Sequence, residues 1–548
     1  MNKPIIGITL LLVCAYGLSA QSSIINTKHN LSISGTGELK STEENEVCIF
    51  CHATHGGATD APLWNRSASN VTYTLYGSPS LQTNTMQPGQ SSRLCLSCHD
   101  GTVALGLVLT RPDPIAFPVG MDKIPTSYRT NLSENLSDDH PLNLDSHPVG
   151  YNCNGCHDMH TDESNPLECS SCHDPHDNSA GDFLVENPVG GAICARCHNV
   201  STWSSGAHFT STATWNGQSP DPWPNTDWTT VNENSCNNCH TPHGGNGAYW
   251  LLKASAEEDN CLICHNGNVA QADIQSSLVK SSTHPVEDYT MIHSPNEDLN
   301  QMSTHVECTD CHSPHTATTG NATAPYASGA LSGASGVDKS GSAVNAVAYE
   351  YEVCLKCHEN ALGNNVYVPR LDSQTNLRLE FSESNPSYHP VFGIGRNNNV
   401  PSLITPWNEN SIMYCTDCHN NNGVVNGQSP NGPHGSNYTP ILERQQIFSD
   451  YNSESSSIYA LCYKCHDRAS ILNDESRFKH KEHVEKKKAA CTTCHDPHGS
   501  YNNTHLINFN TDYVTPNSQG SLYWEDLGNN HGKCYLRCHG EDHKPEDY

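Results

Sequence analysis

Apolar side chains are scarce in this sequence. Only 35% of its 548 residues are hydrophobic, and the mean hydropathy is -0.58. A soluble chain of this length ordinarily carries more. A large core built from side chains is therefore excluded, and composition alone points towards disorder. Basic residues are also few. Lys and Arg number 28 against 58 Asp and Glu, for a net charge of -30. That balance argues against nucleic acid or an anionic membrane surface as partner. It suits solubility, or attraction to cationic partners and oxide surfaces. Past residue 20 no stretch is apolar enough for a transmembrane helix. Metal-protease, P-loop and dinucleotide motifs are missing. Methionine is rare: after Met1 only Met86, Met121, Met159, Met291, Met302 and Met413 remain, in no repeated position.

Residues 1–20 read as a secretory leader, with Lys3, an apolar run and small residues before a cut after Ala20. Cys14 lies inside that run, and Val13 before it is unsuited to lipoprotein processing. The mature chain is expected to be secreted, to the periplasm, the outer surface or the cell exterior, without a membrane-spanning segment.

Cysteine and histidine are what the chain has in abundance, 27 and 33 residues. Twelve stretches read C-x-x-C-H: Cys48/Cys51/His52, Cys95/Cys98/His99, Cys153/Cys156/His157, Cys169/Cys172/His173, Cys194/Cys197/His198, Cys236/Cys239/His240, Cys261/Cys264/His265, Cys308/Cys311/His312, Cys354/Cys357/His358, Cys415/Cys418/His419, Cys462/Cys465/His466 and Cys491/Cys494/His495. A thirteenth, Cys534/Cys538/His539, has one extra residue between its cysteines, and no cysteine of the mature chain is left over. C-x-x-C-H is the attachment signature of c-type haem: two thiols bond the porphyrin edge and the histidine takes the iron. Disulfide staples or zinc ribbons would not require a histidine after every second cysteine. The expected cofactor is haem c, about thirteen copies, twelve from C-x-x-C-H and one from the wider motif. Their apolar discs would supply the core that the side chains do not.

Motif spacing divides the mature chain into a dihaem region (21–145), a dense six-haem region (146–320) and a five-haem region (321–548). No sustained helical or strand period is present. The expected fold is mostly irregular coil with short α-helices and few short strands, wrapped around a continuous haem chain. Ala254–Leu262 and Tyr349–Leu355 are expected as helices running into motifs. Residues 321–348 read as a flexible or edge-strand connection and 366–413 as short strands. A repeat of irregular period is visible: an upstream His, C-x-x-C-H-x-x-H, then a plain C-x-x-C-H.

The extra histidines follow from coordination. The motif histidine fills one axial position of its iron. In CNNCHTPH the second histidine, His243, is only three residues past His240, on the same side. It cannot reach the far face of its own haem, so it is expected to serve a neighbouring one. Removing thirteen proximal histidines leaves 20. One choice per repeat gives the distal candidates His29, His55, His147, His160, His176, His208, His243, His284, His315, His389, His434, His483 and His498. The choice is between neighbours at His140 or His147, at His284, His293 or His305, and at His480 or His483. His505, His531 and His543 are spare. Low-potential bis-histidine iron is expected, because methionine ligation is not general.

Phrases around the motifs, among them CIFCHATHGG, APLWNR, RLCLSCHDGTVALG, CNNCHTPHGG, HVECTDCHSPH, YEYEVCLKCH and GVVNGQSPNGPHGS, resemble the doubled-CXXCH multihaem cytochromes c of metal- and sulfur-cycling bacteria. The resemblance covers most of residues 28–539. It implies electron transfer through the haems, redox partner proteins or extracellular acceptors, and in some members polymerisation of copies into extracellular filaments. It also favours His147, His284 and His389, in HPV or H-x-x-x-C settings, as distal ligands. The C-x-x-x-C-H at 534–539 departs from the family pattern. Three functions follow: an electron conduit at the cell exterior, a soluble periplasmic shuttle or store, and a multihaem reductase of a small nitrogen or sulfur compound. The reductase needs an open iron, often marked by C-x-x-C-K, which the sequence lacks. An electron-transfer protein without a catalytic residue is the expected class.

Overall fold

A computed structural model describes residues 24–58, 63–78, 81, 83–145, 167–200, 202–246, 249–286, 306–359, 367–427 and 430–548. The leader, and His147, Cys153, Cys156, His157 and His160, lie outside the described residues.

The backbone is mostly coil, with short helices and few short strands. The longest described helix, Gln90–His99, has 10 residues. None is long and apolar enough to cross a membrane. Where helices form, their ends are charged to suit. Glu350–His358 begins with Glu350 and Glu352 and ends with Lys356 and His358, complementing the helix dipole. Glu352 also accepts the N–H of Ala348 (2.7 Å) and Tyr349 (3.0 Å), which the first turn leaves unpaired. Glu257–Leu262 opens on Glu257, Glu258 and Asp259 for the same reason.

Two compact units are present: Met1–Ser201 with Trp223–Ser255, and Thr202–Pro222 with Ala256–Tyr548. Each has small apolar clusters in place of one core. The first unit holds Phe50, Val108 and Ile115 in one cluster and Tyr73, Leu96 and Leu136 in another. The second is built around Tyr351, Leu355, Phe381, Val391, Phe392 and Met413, with further clusters at Tyr459/Leu472/Val484 and Ile507/Phe509/Trp524. Motif cysteines pack on the rims, Cys51 on the Phe50 cluster and Cys415 and Cys418 on the Tyr351 cluster. Buried amides bridge the loops. Asn65 donates to Ile49 O (2.7 Å) and accepts from Thr110 N (3.1 Å), so its burial costs little.

The C-terminus departs from this pattern. Tyr523–Gly528, His531–Cys538 and Glu541–Asp547 form an antiparallel sheet, with Val514–Thr515 also paired to the middle strand. Asn529 and Asn530 take the left-handed conformation a tight hairpin needs (φ 54° and 61°). Trp524 lies opposite Cys534 and packs with Leu536 in one cluster.

Candidate haem-binding sites

Each described C-x-x-C-H folds as one helical turn. The histidine N–H donates to the first cysteine's carbonyl: His52 to Cys48 (2.8 Å), His173 to Cys169 (2.9 Å), His240 to Cys236 (3.0 Å), His419 to Cys415 (2.9 Å). At Cys95 and Cys354 the motif is the end of a longer helix. Residues three apart share a face of such a turn, so both thiols stand on one side. None of the described cysteines is in a disulfide.

The chain then returns to clamp the histidine. Leu184, Leu252, Leu442 and Ile507 bridge to His173, His240, His419 and His495. Two residues earlier in each strap a carbonyl accepts the imidazole Nδ1–H: Asp182 (3.0 Å), Trp250 (2.7 Å), Pro440 (3.0 Å) and His505 (2.8 Å). One residue after the bridge, Val185, Lys253, Glu443 and Asn508 donate to the carbonyls of the second cysteines, Cys172, Cys239, Cys418 and Cys494. Aiming requires left-handed backbone at Phe183, Leu251, Ile441 and Leu506, which hydrogen bonds on both sides hold in place. With Nδ1 engaged, Nε2 is free to bind metal.

Cys197 and Cys264, expected as attachment cysteines on the same footing as the others, are not part of such a strap. Both are half-buried and in no disulfide. Their N–H groups close the motif turn on Cys194 O (3.2 Å) and Cys261 O (3.2 Å). Beyond that turn the two differ from the strapped motifs. Cys264 is held by the chain immediately after it: Ala270 donates to its carbonyl (3.0 Å), and Asn266 bridges Asp273. Cys197 follows directly on the short helix Ala192–Ala195.

Opposite the motif rings stand other histidines, brought from far along the chain. In the first unit His52 faces His176 (ring centres 5.9 Å), His99 faces His29 (6.2 Å), His173 faces His243 (6.2 Å) and His198 faces His140 (6.0 Å). In the second, His265 faces His208 (6.1 Å), His312 His434 (6.1 Å), His358 His284 (6.5 Å), His419 His498 (6.3 Å) and His495 His480 (6.5 Å). His389 acts electrostatically on His466. The second ring of a couple is delivered with the first. Thr283 pairs with Gly435, setting His284 beside His434, and Tyr388 pairs with Gly499, setting His389 beside His498. Glycine is required there, since a Cβ would sit 2.0 Å from Ser277 O at Gly435 and 2.1 Å from Glu380 O at Gly499. Proline carbonyls beside the second histidines take the first ones' Nδ1–H: Pro175 from His29 (3.3 Å), Pro314 from His208 (3.0 Å), Pro433 from His284 (3.1 Å), and Pro497 from His389.

These gaps fit haem iron. Two metal–nitrogen bonds of about 2 Å each, plus the half-width of each ring, separate imidazole centres by roughly 6 Å. Ligation also needs neutral imidazole, and burial supplies it. His140, His265, His419, His434, His466, His480 and His495 are pushed down to about 4. Beside the first motifs, Trp64, Arg66, Gln90 and Arg93 line a cavity of about 200 Å³. The buried N–H groups of Trp64 Nε1 and Arg66 Nε find no partner among the described residues. A cationic recess with spare donors suits the anionic propionate edge of haem.

Thiols of successive motifs meet. Cys95 hydrogen-bonds Cys169 and Cys194 hydrogen-bonds Cys236. Cys51 lies close enough to Cys98, and Cys194 to Cys172, to be raised electrostatically. The first unit thus carries a run through the motifs at 48, 95, 169, 194 and 236. In the second unit Thr309 donates to Glu257 (2.8 Å), joining the motifs at 261 and 308. Cys311 neighbours Cys354, Cys354 bonds Cys415, Cys418 neighbours Cys465, Cys462 bonds Cys491, and Cys494 neighbours Cys538. At the motifs at 194 and 261, Cys194 and Glu257 make contacts to neighbouring motifs.

The thirteenth motif is built differently. Cys534 and Cys538 lie on a strand, and His539 forms the next hairpin turn at φ 52° with Gly540. Its Nε2 meets the buried Asp450 carboxylate, not another imidazole. Of the remaining distal candidates, His55 is exposed, His315 lies against Trp203 (5.8 Å) and His483 stacks on Phe478 (4.7 Å). The rings facing His198 and His495 are those of His140 and His480, each one of the two alternatives the sequence offers at its place. His140 precedes a proline, as His147, His284 and His389 do.

The doubled CXXCH motif family matches residues 163–201, 229–270 and 482–514. These three segments carry doubled CXXCH motifs. The three matches agree with the multihaem c-type cytochromes, in which paired motifs bind haem c covalently and carry electrons, and which are typically exported. They include the motifs at 169, 194, 236, 261 and 491, and with them Cys197 and Cys264. No curated protein matches the chain.

Proposed function

We propose that this cytochrome is a conduit that passes electrons along runs of bis-histidine haems at the cell exterior or outer surface. The observation that carries it is the set of nine facing histidine pairs among the described residues, 5.9 to 6.5 Å apart, arranged along motifs that neighbour one another. Bound haem supplies the chemistry, taking up and giving up one electron at the iron. The chain attaches it, fixes both axial imidazoles and sets spacing. The twelve regular motifs and the one at 534–539 together offer thirteen attachments. The run in each unit suits long-range transfer better than storage alone, and the net charge of -30 suits cationic partners or oxide acceptors. Residues 1–20 support export. End-to-end contact with other copies would extend the conduit into a filament.

Mass spectrometry of the mature protein, with an absorption spectrum, tests this. Thirteen added haems and six-coordinate low-spin iron are expected; a chain without covalent haem would overturn the reading. Electron microscopy separates the forms, because discrete particles alone would leave a soluble shuttle.

One observation favours a second reading at a single place. His539 faces Asp450 with no imidazole opposite among the described residues. A haem there would have an open face, as a reductase requires, and would show as one high-spin equivalent. Cys534→Ser should then remove one haem by mass together with that high-spin signal. Unchanged mass would mean the motif attaches nothing.

A further inference from the structure

Facing histidines differ in what their second nitrogen finds. Most of the Nδ1–H groups donate to a backbone carbonyl, a neutral acceptor. Two do not. His243 donates to Asp139 Oδ1 at 2.8 Å, and His498 to Glu380 Oε2 at 3.0 Å. Both carboxylates are buried, Asp139 at 5% and Glu380 at 8% exposure. His176 and His434 differ from them. His176 is exposed with Asp174 3.6 Å away, and His434 Nδ1 is buried without a partner among the described residues.

Glu380, Asp496 and His498 are close enough together to resemble a metal site. Arg370 already lies 3.3 Å from Asp496, which also accepts from Asn508 (3.1 Å). The His498 ring faces His419, so Glu380 is left as a partner of the imidazole and not as a ligand.

A carboxylate on Nδ1–H draws the proton and gives the imidazole imidazolate character. The extra negative charge on the ligand favours ferric over ferrous iron. We propose that Asp139 and Glu380 are potential-setting residues. They make the haems attached at Cys169/Cys172 and at Cys415/Cys418 the hardest to reduce in their units. Neither site ends its run. The first lies between the motifs at 95 and 194, the second between those at 354 and 462. Electrons therefore cross one internal step in each unit, which divides its haems into two groups. The inference rests on the conduit reading above.

Asp139→Asn and Glu380→Gln test it in the full haem-loaded protein. Potentiometric titration followed by absorbance and EPR should show one haem equivalent moving in each variant. Its ratio of oxidised to reduced iron at a given potential should fall about tenfold, a rise of about 59 mV for one electron. Haem count by mass and low-spin iron should stay unchanged. Glu380→Asp, which keeps the charge, should restore the wild-type titration wholly or in part, and Asp174→Asn should move nothing. Titrations of both variants superimposing on wild type, with haem content and spin state intact, would overturn the proposal. A wild-type protein without bis-histidine haem would instead undo the conduit reading, so the two failures are distinguishable. Should Glu380→Gln lose haem, Asp139→Asn still decides.

Discussion

Replacing Cys415 and Cys418 with serine is expected to remove one haem and cut the second unit's run in two. The thiol of Cys415 meets Cys354 on one side, and Cys418 lies near Cys465 on the other. Without this motif no attachment bridges 354 to 462. Mass should fall by one haem, and the ferric-to-ferrous titration should lose one electron. Conductance across the protein between electrodes should collapse, while the haems on each side remain reducible. Stability should suffer too, because both cysteines pack on the cluster of Tyr351, Phe381, Phe392 and Met413, which the haem would otherwise cover. A double variant that conducts as well as wild type with one haem fewer would disprove the run.

Arg66→Met should destabilise the first unit more than any surface change. The side chain is fully buried (0% exposed). Its guanidinium donates to Leu105 O (2.6 Å), Ala104 O (3.0 Å) and Ser97 O (3.3 Å), tying one loop to the end of the helix Gln90–His99. Methionine fills much of the stem's volume but leaves three carbonyls unpaired, at about 1–3 kcal/mol for each one that water cannot reach. A loss of about 3–5 kcal/mol is expected from denaturant unfolding of the loaded protein. Arg66→Lys should recover part of it, since an ammonium keeps the charge but not the planar fork. A loss below about 1 kcal/mol for Arg66→Met would show that water replaces these bonds.

Both expectations depend on long-range arrangement around a local motif. C-x-x-C-H is legible in sequence because covalent attachment needs two thiols and a histidine within one turn. Those residues do fold as one turn, at Cys48 as at Cys491. The helices anticipated at 254–262 and 349–355 are present as Glu257–Leu262 and Glu350–His358, because acidic first turns precede each motif. The straps were harder to see. Phrases such as DFLVEN, YWLLKA and HLINFN recur after C-H-x-P-H, yet their left-handed residues carry no glycine to betray them. Nor does the motif itself reveal that a strap donates to the carbonyls of Cys172 and Cys239, since that depends on the chain that follows. The C-terminal sheet was also missed, although Asn529 and Asn530 sit where a hairpin would turn.

By itself the sequence determined the class of chemistry: thiol pairs with adjacent histidines, an acidic surface, and too few apolar side chains to form a core without cofactor. Only the tertiary structure decided which histidine looks at which. His29 is held by Pro175, 146 residues away, and His284 by Pro433, 149 away. No spacing rule spans such loops, because backbone pairing and a glycine-wide approach bring their ends together. That same return of the chain chose His140 and His480 to face motif histidines and placed carboxylates behind His243 and His498. The physical reason is that attachment is settled within five residues, whereas the axial partner is settled by where the distant chain packs.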